Sequence, residues 1–111
     1  MTDNDPFARF SDIVTRADEL EEITGKPLPQ IAAKEIPALD SICRSFIEHA
    51  PFCFLATANP DGHVDLSPRG DPPGFVRILS ESLLAIPDRP GNRRGDTFHN
   101  ILADPRIGLF F

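Results

Sequence analysis

The apolar positions of the chain change period halfway along it. Up to residue 50 they recur at intervals of three and four: Phe7, Phe10, Ile13, Val14, Ala17 and Leu20 form one stripe, and Leu39, Ile42, Cys43, Phe46, Ile47 and Ala50 a second. Each stripe predicts an amphipathic helix. The first runs from about Asp12 to Ile23, with Ser11 and Asp12 as caps and a stop at Gly25 and Pro27; the second starts near Pro37 and ends before Pro51. From residue 52 the period shortens to two. Phe52 to Ala58 is an apolar run, Asn59-Pro60-Asp61-Gly62 a turn signal, and His63 to Ser67 alternates Val64 and Leu66 against polar neighbours, with His63 on the outward side. Together they predict a β-hairpin. Phe75 to Leu79 and Leu83 to Ile86 predict two more short strands joined around Ser80-Glu81-Ser82. A third short helix follows from Thr97 to Ala103, with Phe98, Ile101 and Leu102 on one side and Asp96 as its cap.

The last residues, Arg106-Ile-Gly-Leu-Phe-Phe111, form an apolar strand with no polar residue after it. A strand left bare in this way predicts either a longer parent protein or a partner chain that covers the edge. A length of 111 residues suits one domain, and 41% hydrophobic and 25% charged residues suit a globular one. Twelve Pro predict rigid turns and short elements. With neither Trp nor Tyr present, nine Phe are the large aromatic anchors, and a ring without a polar handle is expected in the core.

A formal charge of −6 argues against nonspecific binding to nucleic acid or anionic membranes, both of which need clustered positive charge. The charge is uneven: residues 1–50 carry ten acids and five bases, residues 51–111 seven acids and six bases, all six of them Arg. An anionic ligand therefore belongs to the second half. The sequence contains no apolar run of membrane-spanning length and no signal-peptide pattern at its start, which predicts a cytoplasmic protein. Cys43 and Cys53, ten residues apart without a C-x-x-C or a nearby ligand set, are expected as buried small hydrophobes rather than as a metal or redox pair.

Two segments exceed what a plain fold needs. In Asp65-Leu-Ser-Pro-Arg-Gly-Asp-Pro-Pro-Gly74 a strand runs into a rigid turn bearing a hydroxyl, an Arg and two Gly. In Ile86-Pro-Asp-Arg-Pro-Gly-Asn-Arg-Arg-Gly-Asp96 a basic loop leads directly into a helix. Arg forks, small residues and free N–H groups at a helix start make a phosphate cradle. The same residues also fit ordinary turn chemistry, with Arg side chains paired to Asp88 and Asp96. Nucleophilic catalysis has little support: Ser67 lacks a G-x-S-x-G elbow, and His49, His63 and His99 have no matching partner nearby in sequence. The catalytic residues stay unknown.

Taken in order, Phe54-Leu-Ala-Thr-Ala, Asp61-Gly, Ser67-Pro-Arg-Gly-Asp-Pro-Pro-Gly-Phe, Ile86-Pro-Asp-Arg-Pro-Gly-Asn-Arg-Arg and Asn100-Ile-Leu resemble the pyridoxamine 5′-phosphate oxidase-like FMN-binding proteins. The resemblance implies a mainly β, α+β fold with flanking helices: a split β-barrel, incomplete at its C-terminus, with residues 1–50 as a helical extension and 51–111 as the first part of the barrel. It also implies a homodimer holding FMN at the subunit interface, with the flavin edge along Ser67, Arg69, Gly70 and Asp71. Asn92, Arg93 and Arg94, joined by Arg89, would hold the phosphate, oriented by Asp88 and Asp96. The activity implied is that of an FMN-dependent oxidoreductase acting on a small molecule. A deazaflavin in place of FMN, a flavin-binding module without turnover, and a truncated remnant without cofactor are the alternatives. The basic pattern of true pyridoxamine 5′-phosphate oxidases is not reproduced, which argues against that substrate.

Overall fold

The computed structural model describes residues 4–89 and 95–111. The chain divides into two compact units, Met1–Ile36 and Pro37–Phe111.

The first unit holds α1 (Ala17–Thr24) and the single turn α2 (Pro29–Ala32), and neither helix buries a residue. Helix α1 starts five residues later than the apolar stripe predicts, and Ser11 and Asp12 do not cap it. The intervening Ile13-Val14-Thr15 is a run of β-branched residues, which lose side-chain freedom in a helix. At Ala17 the local chemistry turns favourable: Asp18 and Glu19 sit in the first turn, where negative charge complements the helix dipole. The Arg16 guanidinium bridges both carboxylates at 3.1 Å. Gly25 ends the helix as predicted, with φ +74° and its N–H donating to the Glu21 carbonyl at 2.7 Å.

The second unit opens with α3 (Ser41–His49). Its start lies beyond Pro37 because Asp40 is the cap: the carboxylate accepts the Cys43 N–H at 2.8 Å, and this backbone hydrogen bond lowers the Asp40 pKa. The helix stops before Pro51, which pushes the preceding Ala50 into an extended conformation. Next comes the predicted hairpin, β1 (Phe52–Ala58) and β2 (Val64–Gly70), in antiparallel register from Phe52 opposite Gly70 to Ala58 opposite Val64. Asn59 closes its turn twice over, pairing backbone with His63 and accepting the His63 N–H on its side chain, both at 2.9 Å. Strands β3 (Arg77–Ser80) and β4 (Leu83–Ala85) form a separate antiparallel pair with an irregular register near Ile78 and Ser80.

Helix α4 (Asp96–Ala103) and strand β5 (Gly108–Phe110) complete the chain. The N-cap of α4 is Gly95, in a left-handed conformation, and Asp96 is the first helical residue rather than the cap. Strand β5 pairs with β1, giving a three-stranded sheet in the order β2-β1-β5. The architecture is thus mixed helix and antiparallel sheet, and among the described residues neither sheet closes on itself. No helix there is long and apolar enough to cross a membrane.

A small core forms where α3 packs against β3 and the hairpin: Ile47, Cys53 and Val76 are buried, with Leu39, Phe75 and Leu109 packed around them. The aromatic expectation fails here. None of the nine Phe is fully buried, and Phe7, Phe10, Phe46, Phe52, Phe98 and Phe110 are exposed. Phe supplies apolar area, but nothing in its chemistry says whether another element of the same chain will cover it. Cys53 is fully buried as expected, whereas Cys43 is only half-buried.

Strand β2 is turned opposite to the simple expectation that its apolar set faces the core. Val64 and Leu66 are 73% and 62% exposed, while Asp65, Ser67 and Arg69 face inward beside the buried Thr57, Leu55 and Cys53 of β1. In a strand the two sets must face opposite ways, so fixing one fixes the other. Here the polar set is the one that finds partners.

Candidate functional site

Those partners come from α4, which packs on β1. Asn100 is buried, and its Nδ2 donates to Thr57 Oγ1 at 2.9 Å and to Asp65 Oδ2 at 2.6 Å. Thr57 and Asp65 are directly opposite each other in the register, so one amide ties the helix to both strands of the hairpin. A buried amide and hydroxyl are costly unless paired, and this arrangement pairs them.

Further along the same inward face, Arg69 lies over the ring of Phe98, with Cζ 5.9 Å from the ring centroid. Its Nε is buried and has no hydrogen-bond partner among the described residues. Among the described residues no carboxylate pairs with it. Arg69 faces the buried Cys53 across the strand pair. Burial pushes the Cys53 thiol pKa up, and the Arg69 charge offsets part of that rise. A cavity of about 250 Å³ opens beside the guanidinium, walled by apolar side chains such as Leu55, Leu84 and Ile107, with Thr97 and Asp88 adding polar groups.

The two segments singled out in the sequence meet at one point. Arg89 Nε lies 2.6 Å from Asp71 Oδ2, linking the turn after β2 to the loop before α4. The Asp71 N–H donates to the Pro51 carbonyl at 3.2 Å, which holds that turn against the start of β1. Ser67 is half-buried on the inward face, opposite Leu55, and Gly70 ends β2 opposite Phe52. A Cβ at Gly70 would come within 3.4 Å of the Phe52 ring. Asn92, Arg93 and Arg94 lie outside the described residues. His49, His63 and His99 are all exposed.

The residues missed by sequence reasoning are Thr57, Asp65, Phe98 and Asn100. A detectable signal was present for one of them: an Asn in the middle of a short helix is a poor helix former, and at a buried position it must be held by partners. A larger groove of about 700 Å³ runs along the exposed side of α3, past Ile42, Phe46, Phe52 and Phe111, and none of the predicted site residues lines it.

The site thus brings together an Arg69 whose Nε has no partner among the described residues, a cavity beside it that Asp88 also lines, and an Arg89 paired with Asp71. A family model described as pyridoxamine 5′-phosphate oxidase matches residues 39–111, taking in α3 and everything after it but neither α1 nor α2. No curated protein and no solved structure matches the chain. The match covers well over half of the sequence, and the chain belongs to the pyridoxamine 5′-phosphate oxidase-like family, whose members commonly bind flavin.

Proposed function

We propose that this protein binds FMN and serves as a flavin-dependent oxidoreductase. The observation that carries the reading is the meeting of the two predicted segments: Arg89 pairs with Asp71 while Arg69, on the adjoining strand, keeps a buried Nε without a partner. Among the described residues no acid neutralises Arg69, and a cation so placed is suited to a phosphate. In this reading Ser67, Arg69, Gly70 and Asp71 border the flavin, with the Arg69 guanidinium turned to its phosphate alongside Arg89, Asn92, Arg93 and Arg94. When bound, the flavin supplies the hydride-accepting centre. The chain's own part is to bind, orient and shield it, in keeping with three exposed His and, among the described residues, no nucleophile–base pair at the cavity.

The reading extends to assembly. The outward face of the β2-β1-β5 sheet carries Val64, Leu66, Phe52 and Phe110, exposed by 43–73%. A contiguous apolar face of this kind marks an association surface. We assign it to a homodimer in which residues 51–111 contribute the first part of a split barrel, with residues 1–50 as a helical extension.

The test is the visible absorption spectrum of the purified protein before and after adding FMN and desalting. Retained flavin bands that disappear in the Arg93→Ala, Arg94→Ala double variant support the cradle. A folded protein that retains no flavin and gains no thermal stability from FMN overturns it. If flavin is retained and photoreduced under anaerobic conditions but no acceptor reoxidises it efficiently, the protein is a binding module without turnover.

A further inference from the structure

We infer that Asn100 is a positioning residue for Arg69: its amide locks α4 onto the polar face of the hairpin, and thereby holds the Phe98 ring on which the guanidinium lies. The inference rests on the flavin reading above and adds to it a residue that touches no ligand.

Three observations on the inward face of β2 support it. Asn100 spends both amide hydrogens on the sheet, one on Thr57 of β1 and one on Asp65 of β2. These two acceptors form a cross-strand pair, so the contact fixes α4 against the hairpin as a unit rather than against either strand alone. Phe98 stands two residues before Asn100 on the same short helix, and the Arg69 guanidinium lies over its ring. Among the described residues Arg69 has no carboxylate partner, and its Nε is unsatisfied. The direction of its charge therefore depends on where the ring stands, and the ring stands where α4 is docked.

Loss of the Asn100 amide would leave a buried Thr57 hydroxyl and the Asp65 carboxylate without their donor. Both groups must then recover hydrogen bonds from water, which requires α4 to lift from the sheet. Phe98 moves with the helix, and Arg69 loses its platform. The consequence is specific to the phosphate end of a flavin, because the cation is what changes position.

The experiment compares FMN with riboflavin, which lacks the phosphate, by quenching of flavin fluorescence. Asn100→Ala is expected to weaken FMN binding at least tenfold while leaving riboflavin binding within about twofold of wild type. Phe98→Leu, which removes the platform directly, is expected to give the same selective loss. A folded Asn100→Ala protein that binds FMN like wild type overturns the inference. So does an equal loss for both flavins, which is the mark of general structural damage. Should Asn100→Ala fail to fold, Thr57→Val removes one acceptor at nearly constant shape. A selective FMN loss of about threefold then supports the inference, and unchanged FMN binding overturns it. A wild-type protein that binds neither flavin overturns the flavin reading itself. One that binds both equally keeps flavin binding but overturns the role of Arg69, and that of Asn100 with it.

Discussion

The two faces of the β2-β1-β5 sheet are built on opposite principles. The inward face holds Asp65, Ser67 and Arg69 among buried Thr57, Leu55 and Cys53; Asn100 of α4 satisfies Thr57 and Asp65 there, while the Arg69 Nε has no partner among the described residues. The outward face holds Val64, Leu66 and Phe110 and meets no part of its own unit that buries them. Polarity is thus spent inside, where a cation can be held in a low-dielectric setting, and apolar area is spent outside, where only another surface can use it. The difference teaches that hydrophobic alternation in a strand reports two faces without saying which one is the core. Partners decide that.

The comparison is best broken by substitutions that should behave oppositely on the two faces. The largest effect is expected inside: Leu55→Ala deletes a buried side chain that also borders the cavity, and should cost about 2–5 kcal/mol in chemical denaturation. A loss below 1 kcal/mol would mean that the inward face is not a packed core. An intermediate effect is expected outside, and in another observable. Leu66→Ser should change the unfolding free energy of the separated chain by no more than about 0.5 kcal/mol, yet weaken self-association measured by sedimentation. If association is untouched, the apolar face is not the dimer surface.

The smallest effect lies at the edge, on the link from α4 to β5. Asp104 accepts hydrogen bonds from the Arg106 side chain at 2.8 Å and from its N–H at 3.1 Å, which hold the carboxyl down to about 2 from the usual 3.8. The folded pKa is the lower one, so the contribution is complete above about pH 4 and is lost as pH falls toward about 2. Being an exposed pair, its contribution is small. Asp104→Asn should be slightly less stable than wild type at pH 6, and the two should converge near pH 2. A difference that persists unchanged in acid would show that the pair contributes nothing through its charge.

Much of the fold was legible in the chain. The hairpin, its Asn59–Gly62 turn, the β3–β4 pair and the end of α1 at Gly25 follow from local rules, because turn residues and alternation act over a few positions. Helix starts were less legible: the apolar stripe of α1 runs on through Ile13-Val14-Thr15, where local propensity outweighs periodicity, and α3 waits for the Asp40 carboxylate. At the site, the pairing of Arg89 with Asp71 joins two segments already marked by their composition, although which acid meets which Arg was not readable. Asp88 and Asp96 were the acids expected beside the Arg side chains of this loop, and for Arg89 the partner is Asp71. The roles of Asn100 and Phe98 were not legible beyond the signal of an Asn inside a short helix, since they exist only once α4 lies on the hairpin.

By itself the sequence determined the local elements, the concentration of Arg in the second half and the ordered motifs shared with the family, because each depends on residue types at short spacing. The tertiary structure alone decided that β2 turns its polar side inward, that Arg69 rests on Phe98 with its Nε unsatisfied, and that one buried amide ties helix to hairpin. The physical reason is the same in each case. A buried polar group is placed by what packs on it, an amide donor for Asp65 and Thr57 or an aromatic ring for Arg69, and these stand 29 to 43 residues away along the chain.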